Sequence, residues 1–100
     1  MLDARAHEAF VDGQALDLTP KEFQVLEYLL RHRGEVLSSD ALSVVIWGYE
    51  TLGSRNFVEA HISRLRAKLR PTSARDLIST VRGVGYVIRA GLQFHDTRAV

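Results

Sequence analysis

One hundred residues, 46% of them apolar, suit one domain with a single modest core, and the absence of cysteine excludes disulfides, thiolate metal sites and a thiol nucleophile. No apolar run reaches the roughly 20 residues of a membrane span, and the start, MLDARAHEAF, lacks the basic flank and apolar stretch of a secretion signal, so the expected location is the cytoplasm. The net charge of +1 conceals a division: residues 1–54 carry four basic and nine acidic side chains, a net of −5, whereas residues 55–89 carry eight basic and two acidic, a net of +6. A basic second half points to a polyanionic partner, with a merely solvated charged surface as the competing account.

No repeat or low-complexity tract interrupts the chain. Near its start EAFV and QALDL flank Asp12-Gly13, a dipeptide that tolerates the positive φ of a tight hairpin turn, and this predicts a small antiparallel hairpin. Thr19-Pro20-Lys21-Glu22 is a helix start. Thr19 can accept from an early N–H, Pro20 loses no bond at the first helical position, and Glu22 can reach back as in a capping box. Phe23, Val25, Leu26, Leu29 and Leu30 recur at helical spacing, which predicts a first helix over 20–33 with Gly34 as its stop. A second helix is expected after Ser38 or Ser39, carrying Leu42, Val45, Ile46 and Trp47 up to Gly48, and a loop covers 48–54.

The third helix is predicted from Asn56 to Leu69, ending ahead of Pro71. Val58, Ile62, Leu65 and Leu69 form one stripe that must face the core. The opposite side then presents Asn56, Phe57, Ala60, Ser63, Arg64 and Ala67, flanked by His61, Lys68 and Arg70. That face is small along its crest and basic around it, a shape suited to a groove about 12 Å wide. Glu59 sits near the helix start, where the helix dipole favours an acid. Leu77–Val81 and Tyr86–Ile88 read as two strands joined by Arg82-Gly83-Val84-Gly85, a hairpin with a basic tip. Residues 91–100 show no period, and the domain is expected over 2–89 with 90–100 as a trailing end.

Helix, helix, loop, basic helix and glycine-tipped hairpin describe a winged helix-turn-helix of α+β class. On LTPKEF at 18–23, Trp47-Gly48, HISRLRAKL at 61–69 and TVRGVGY at 80–86, the chain resembles the OmpR/PhoB class of winged-helix effector domains of two-component response regulators. The resemblance implies an N-terminal antiparallel sheet, here truncated, three helices and a C-terminal wing. It implies sequence-specific binding of double-stranded DNA and regulation of transcription, with the third helix in the major groove and Arg82 of the wing in the minor groove. Ala60 and Arg64 look like the base-facing pair, since Arg bonds two acceptors of guanine and Ala touches a thymine methyl. Trp47, Asn56, His61, Arg66, Lys68 and Thr80 fall in the phosphate-contacting set. Phe57 is counted with them, although relatives often carry a smaller or polar residue there; it either meets sugars and methyl groups or tucks beneath the loop. Ser63 stands where a further Arg is common. Gly48, Tyr49, Glu50, Thr51, Leu52, Gly53 and Ser54 correspond to the segment that touches RNA polymerase in relatives.

The resemblance further implies self-association on direct-repeat half-sites, and contact with a sensor kinase only through a receiver domain that these residues do not contain. A protein-docking module with weak, sequence-blind DNA affinity is the alternative. Histidines at 7, 32, 61 and 95 lack metal-ligand spacing, Gly83-Val84-Gly85 has neither the third glycine nor the helix of a nucleotide loop, and no nucleophile elbow or carboxylate pair stands out. Neither an enzyme, a metal nor a cofactor is therefore expected.

Overall fold

The computed structural model describes residues 2–3, 5–48 and 56–89, with Asn56 through its backbone alone. Residues 49–54 of the expected polymerase segment, the side chain of Asn56 and the expected tail at 90–100 lie outside the described residues. The order is β1 (Leu2–Asp3), β2 (Glu8–Val11), β3 (Gln14–Leu16), α1 (Pro20–Arg31), α2 (Ser39–Trp47), α3 (Asn56–Leu69), β4 (Ile78–Val81) and β5 (Gly85–Ile88).

The first three strands form an antiparallel sheet in the order β1-β2-β3, with Val11 opposite Gln14 across the turn. Asp12 and Gly13 both take positive φ, 56° and 78°, the geometry that the Asp-Gly dipeptide favours because its twist matches that of the flanking strands. The Asp12 carboxylate then accepts from the backbone N–H and the hydroxyl of Ser73, tying the turn to the segment after α3.

Helix α1 starts with the expected reciprocal cap: Thr19 Oγ1 accepts from Glu22 N–H at 3.2 Å, and Glu22 Oε1 accepts from Thr19 N–H at 3.0 Å. It ends at Arg31 rather than Arg33. His32 leaves helical geometry while its N–H still reaches Tyr28 O, and Gly34, at φ 85°, turns its N–H to Ile88 O at 2.8 Å. The helix therefore gives up its last residues to a strand-like link with β5. Leu37 extends that link, since its N–H donates to Tyr86 O at 2.8 Å and its O accepts from Tyr86 N–H at 2.9 Å. The connection between α1 and α2 is thus bonded along the edge of the β4–β5 hairpin.

Ser38 caps α2 by accepting from Ala41 N–H, and Gly48 ends it in the left-handed region. Leu42 and Ile46 of α2 are buried, whereas Val45, expected on the apolar side, is 52% exposed together with Val44. The helix is short and packs on one side only. Val58, Ile62, Leu65 and Leu69 of α3 are all at most 1% exposed, in one core with Phe23, Leu26, Leu30, Leu42 and Ile88. Each such burial contributes about 1.5–3 kcal/mol, so the stripe alone fixes the rotation of α3 about its axis. The hairpin β4–β5 pairs Val81 with Gly85, and its tip turns on Gly83 at φ 75°.

A basic helix and a basic hairpin tip form the candidate nucleic-acid interface

With its apolar stripe buried, α3 must turn the other side outward. Ser63, Arg64 and Ala67 are exposed and Ala60 is half-exposed, so the crest is low and backbone can approach a ligand closely. Arg64 rises from one side of that crest and Arg82 from the tip of the hairpin. Both are exposed, and neither is held by a hydrogen bond or ion pair among the described residues. Two exposed guanidinium groups without partners among the described residues, one on α3 and one on the hairpin tip, are suited to planar recognition of bases or phosphates.

The two flanks of α3 are built differently. On the hairpin side, Arg66 donates through Nη2 to Ile78 O at 3.1 Å and to Thr80 Oγ1 at 2.6 Å, and its guanidinium lies 5.7 Å from the Tyr86 ring centroid. Arg66 and Thr80, both expected at phosphates, are thus joined to each other and lock the hairpin to α3; Thr80 remains exposed and Arg66 keeps donors to spare. Glu59 is also exposed, beside a cleft of about 320 Å³ shared with Ser38, Asp40, Thr80 and Gly83. The sequence accounted for Glu59 through the helix dipole and assigned it no contact to DNA. Its spacing four residues before Ser63 was the available signal, because residues at i and i+4 share a face.

On the other flank α3 meets the start of α1 around a groove of about 720 Å³ lined by Thr19, Lys21, Glu22, His61, Arg64 and Lys68. Trp47 is half-buried, with Phe57 edge-on at 4.7 Å and His61 edge-on at 4.9 Å. Phe57 is thereby packed against the core and Trp47, so its ring is partly withdrawn from the outward face. His61 Nδ1 lies 2.7 Å from Phe57 O. Lys21, part of the helix start but not of the expected DNA-contact set, donates to Ile46 O at 2.7 Å and sits 5.7 Å from the Trp47 ring centroid, satisfying a terminal carbonyl of α2 and adding a cation beside His61.

Lys68, expected at a phosphate, has its ammonium engaged within the domain. Its ammonium donates to Glu22 Oε1 and to Asp17 O, both at 2.6 Å, and so pins α3 to α1. The reason is Glu22, only 1% exposed, whose charge needs a partner. Burial alone would raise the Glu22 carboxyl, but the Lys68 hydrogen bond, the Thr19 N–H and the nearby Lys68 and His61 charges hold it below the usual carboxylate range.

Three helices, an N-terminal antiparallel sheet and a C-terminal hairpin braced to the third helix define a winged helix-turn-helix. Residues 13–88 match the family described as "Transcriptional regulatory protein, C terminal", and the chain belongs to that family. Among curated relatives it is 43% identical over 89 residues to the response regulator ArlR of Staphylococcus saprophyticus, covering 89% of this chain and 40% of that protein. It is 43% identical over 81 residues to the alkaline phosphatase synthesis transcriptional regulatory protein PhoP of Bacillus subtilis, covering 80% of this chain and 34% of that one. The chain thus spans about two fifths or less of the length of these relatives. Among solved structures it is similar to the DNA-binding domain of CpxR from E. coli, with TM-score 0.78, 35% identity and coverage of 91% and 90% of the two chains. It is also similar to the Klebsiella pneumoniae RstA DNA-binding domain in complex with RstA box, with TM-score 0.79, 30% identity and 88% of each chain covered.

Proposed function

We propose that this domain binds double-stranded DNA in a sequence-specific manner and regulates transcription as the effector part of a two-component response regulator in the bacterial cytoplasm. The observation that carries the reading is Arg64, exposed and without a hydrogen bond or ion pair among the described residues, on the low crest of a helix whose opposite stripe is wholly buried. In this reading α3 enters the major groove. Arg64 takes the two acceptors of a guanine, Ala60 meets a thymine methyl, and the exposed Glu59 accepts from a cytosine amino group. Arg82 enters the adjacent minor groove, where negative potential attracts guanidinium.

Trp47, His61 and Thr80 meet phosphates and set register, joined by Asn56 and by the spare donors of Arg66. Lys68 and Phe57 serve the scaffold instead, because their groups are already committed to Glu22, Asp17 and Trp47. Two copies on direct-repeat half-sites about one helical turn apart, contact of the 48–54 segment with RNA polymerase, and control by a sensor kinase through a receiver domain complete the proposal. It is supported by the family membership and by the relatives being response regulators and transcriptional regulatory proteins.

Binding of a duplex selected from a random library, followed by fluorescence anisotropy over a range of salt, tests it. The expected result is a steep loss of affinity with salt, with Arg82→Ala lowering the slope of log K against log salt by about 1. Sequence-blind, salt-insensitive binding, alongside tight binding to an acidic protein, would replace this reading with the docking-module alternative.

A further inference from the structure

Resting on the DNA-binding reading above, the chemistry of His61 determines the form in which it can meet a phosphate. Its Nδ1 lies 2.7 Å from Phe57 O. A carbonyl oxygen only accepts, so Nδ1 carries the hydrogen, and a neutral ring then has a bare lone pair at Nε2. That lone pair repels a phosphate oxygen. Only the imidazolium has a second N–H to donate.

The ring is held in this orientation by its edge contact with Trp47, so offering the other nitrogen would cost the bond to Phe57. Among the described residues the charged groups around it are Lys21 and Glu22 from α1 and Arg64 and Lys68 from α3, while α2 contributes the uncharged Trp47. Glu22, the acid of this group, already pairs with Lys68 and accepts from Thr19 N–H. Lys21 and Arg64 carry the same sign as an imidazolium. Among the described residues Glu22 is thus shared with Lys68, and a DNA phosphate would add a second negative charge for the ring.

We propose that His61 engages the DNA backbone as an imidazolium, so that the duplex and one proton bind together and affinity depends on pH across the near-neutral range. An ordinary imidazole titrates near pH 6.5, and a bound phosphate favours its charged form. The sign follows from the proton count: affinity through this contact is greatest at low pH, where an imidazole carries its second proton, and falls as pH rises. One linked proton sets a limit of about tenfold in affinity per pH unit.

The test is affinity for the selected duplex from pH 5.5 to 8.5 at constant ionic strength, for the wild type, His61→Gln and His32→Gln. Calorimetry in two buffers of different ionisation enthalpy at pH 7 counts the protons taken up, and nitrogen-15 NMR of the wild-type imidazole in the complex needs no variant. The wild type and His32→Gln are expected to weaken as pH rises, with uptake of up to one proton and an imidazolium signal from His61. His61→Gln is expected to be nearly flat, without that uptake. Tight wild-type binding that is flat with pH, or a slope and uptake unchanged in His61→Gln, would overturn the inference while leaving DNA binding intact; binding to no duplex at any pH would overturn both.

Discussion

Lys68 and Arg64 lie four residues apart on one helix and do opposite work, because one is bonded to a buried acid and the other has no hydrogen bond or ion pair among the described residues. Replacing Lys68 by Met leaves the Glu22 charge almost fully buried without its partner. The expected loss is roughly 2–4 kcal/mol, below the cost at a fully buried pair because Lys68 is about a third exposed, and it is read as a lowered midpoint in urea denaturation. The lowered Glu22 titration gives a second expectation. Its contribution to stability is present above the ordinary glutamate value of about 4.3 and is lost as pH falls through the lower folded value. Denaturation midpoints between pH 3 and 7 should therefore fall below about pH 4 less steeply in Glu22→Gln than in the wild type. Neither side chain declared this role in the sequence. Lys68 falls on the flank of the helical wheel, where inward and outward positions are not separable, and its partner is 46 residues away.

At the scale of elements, α3 was the most legible, since four apolar residues at helical spacing with Pro71 beyond them left one way for the helix to lie. The Asp12-Gly13 turn and the Thr19 cap were equally plain, each resting on residues adjacent in the chain. What escaped was the bonding of the α1–α2 connection along β5, because the pairing of Leu37 with Tyr86 is set by tertiary packing and has no local pattern. This link explains Gly85. A Cβ there would stand 2.1 Å from Leu37 O and 2.8 Å from Ser38 Cα, both backbone atoms that cannot swing aside. Gly85→Ala is expected to destabilise the domain by about 3 kcal/mol, in the range of forced overpacking, and to detach the wing. Amide hydrogen exchange checks this. Leu37 and Tyr86 should lose protection before the β2–β3 hairpin does, whereas uniform loss or no loss would show that the link does not anchor the wing.

Over the whole molecule, the division between an acidic first half and a basic second half becomes spatial. The basic half supplies α3 and the wing, where Arg64 and Arg82 project, and the acidic half supplies the sheet and α1, with Glu22 turned inward to hold α3 in place. The exposure of Ser63, Arg64 and Ala67 was legible because the outward residues of a helix follow the helical wheel. The assignments that changed, Lys68 and Phe57, are those where a side chain on the margin found a partner inside. The central claim is that Arg64 reads a base. Selection of binding sequences from random duplexes by the wild type and by Arg64→Ala tests it most directly. The account predicts that the variant binds the wild-type sequence more weakly by about 1–3 kcal/mol and recovers a motif that has lost its preference at one guanine while the other positions persist. Recovery of an unchanged motif at unchanged affinity would contradict it.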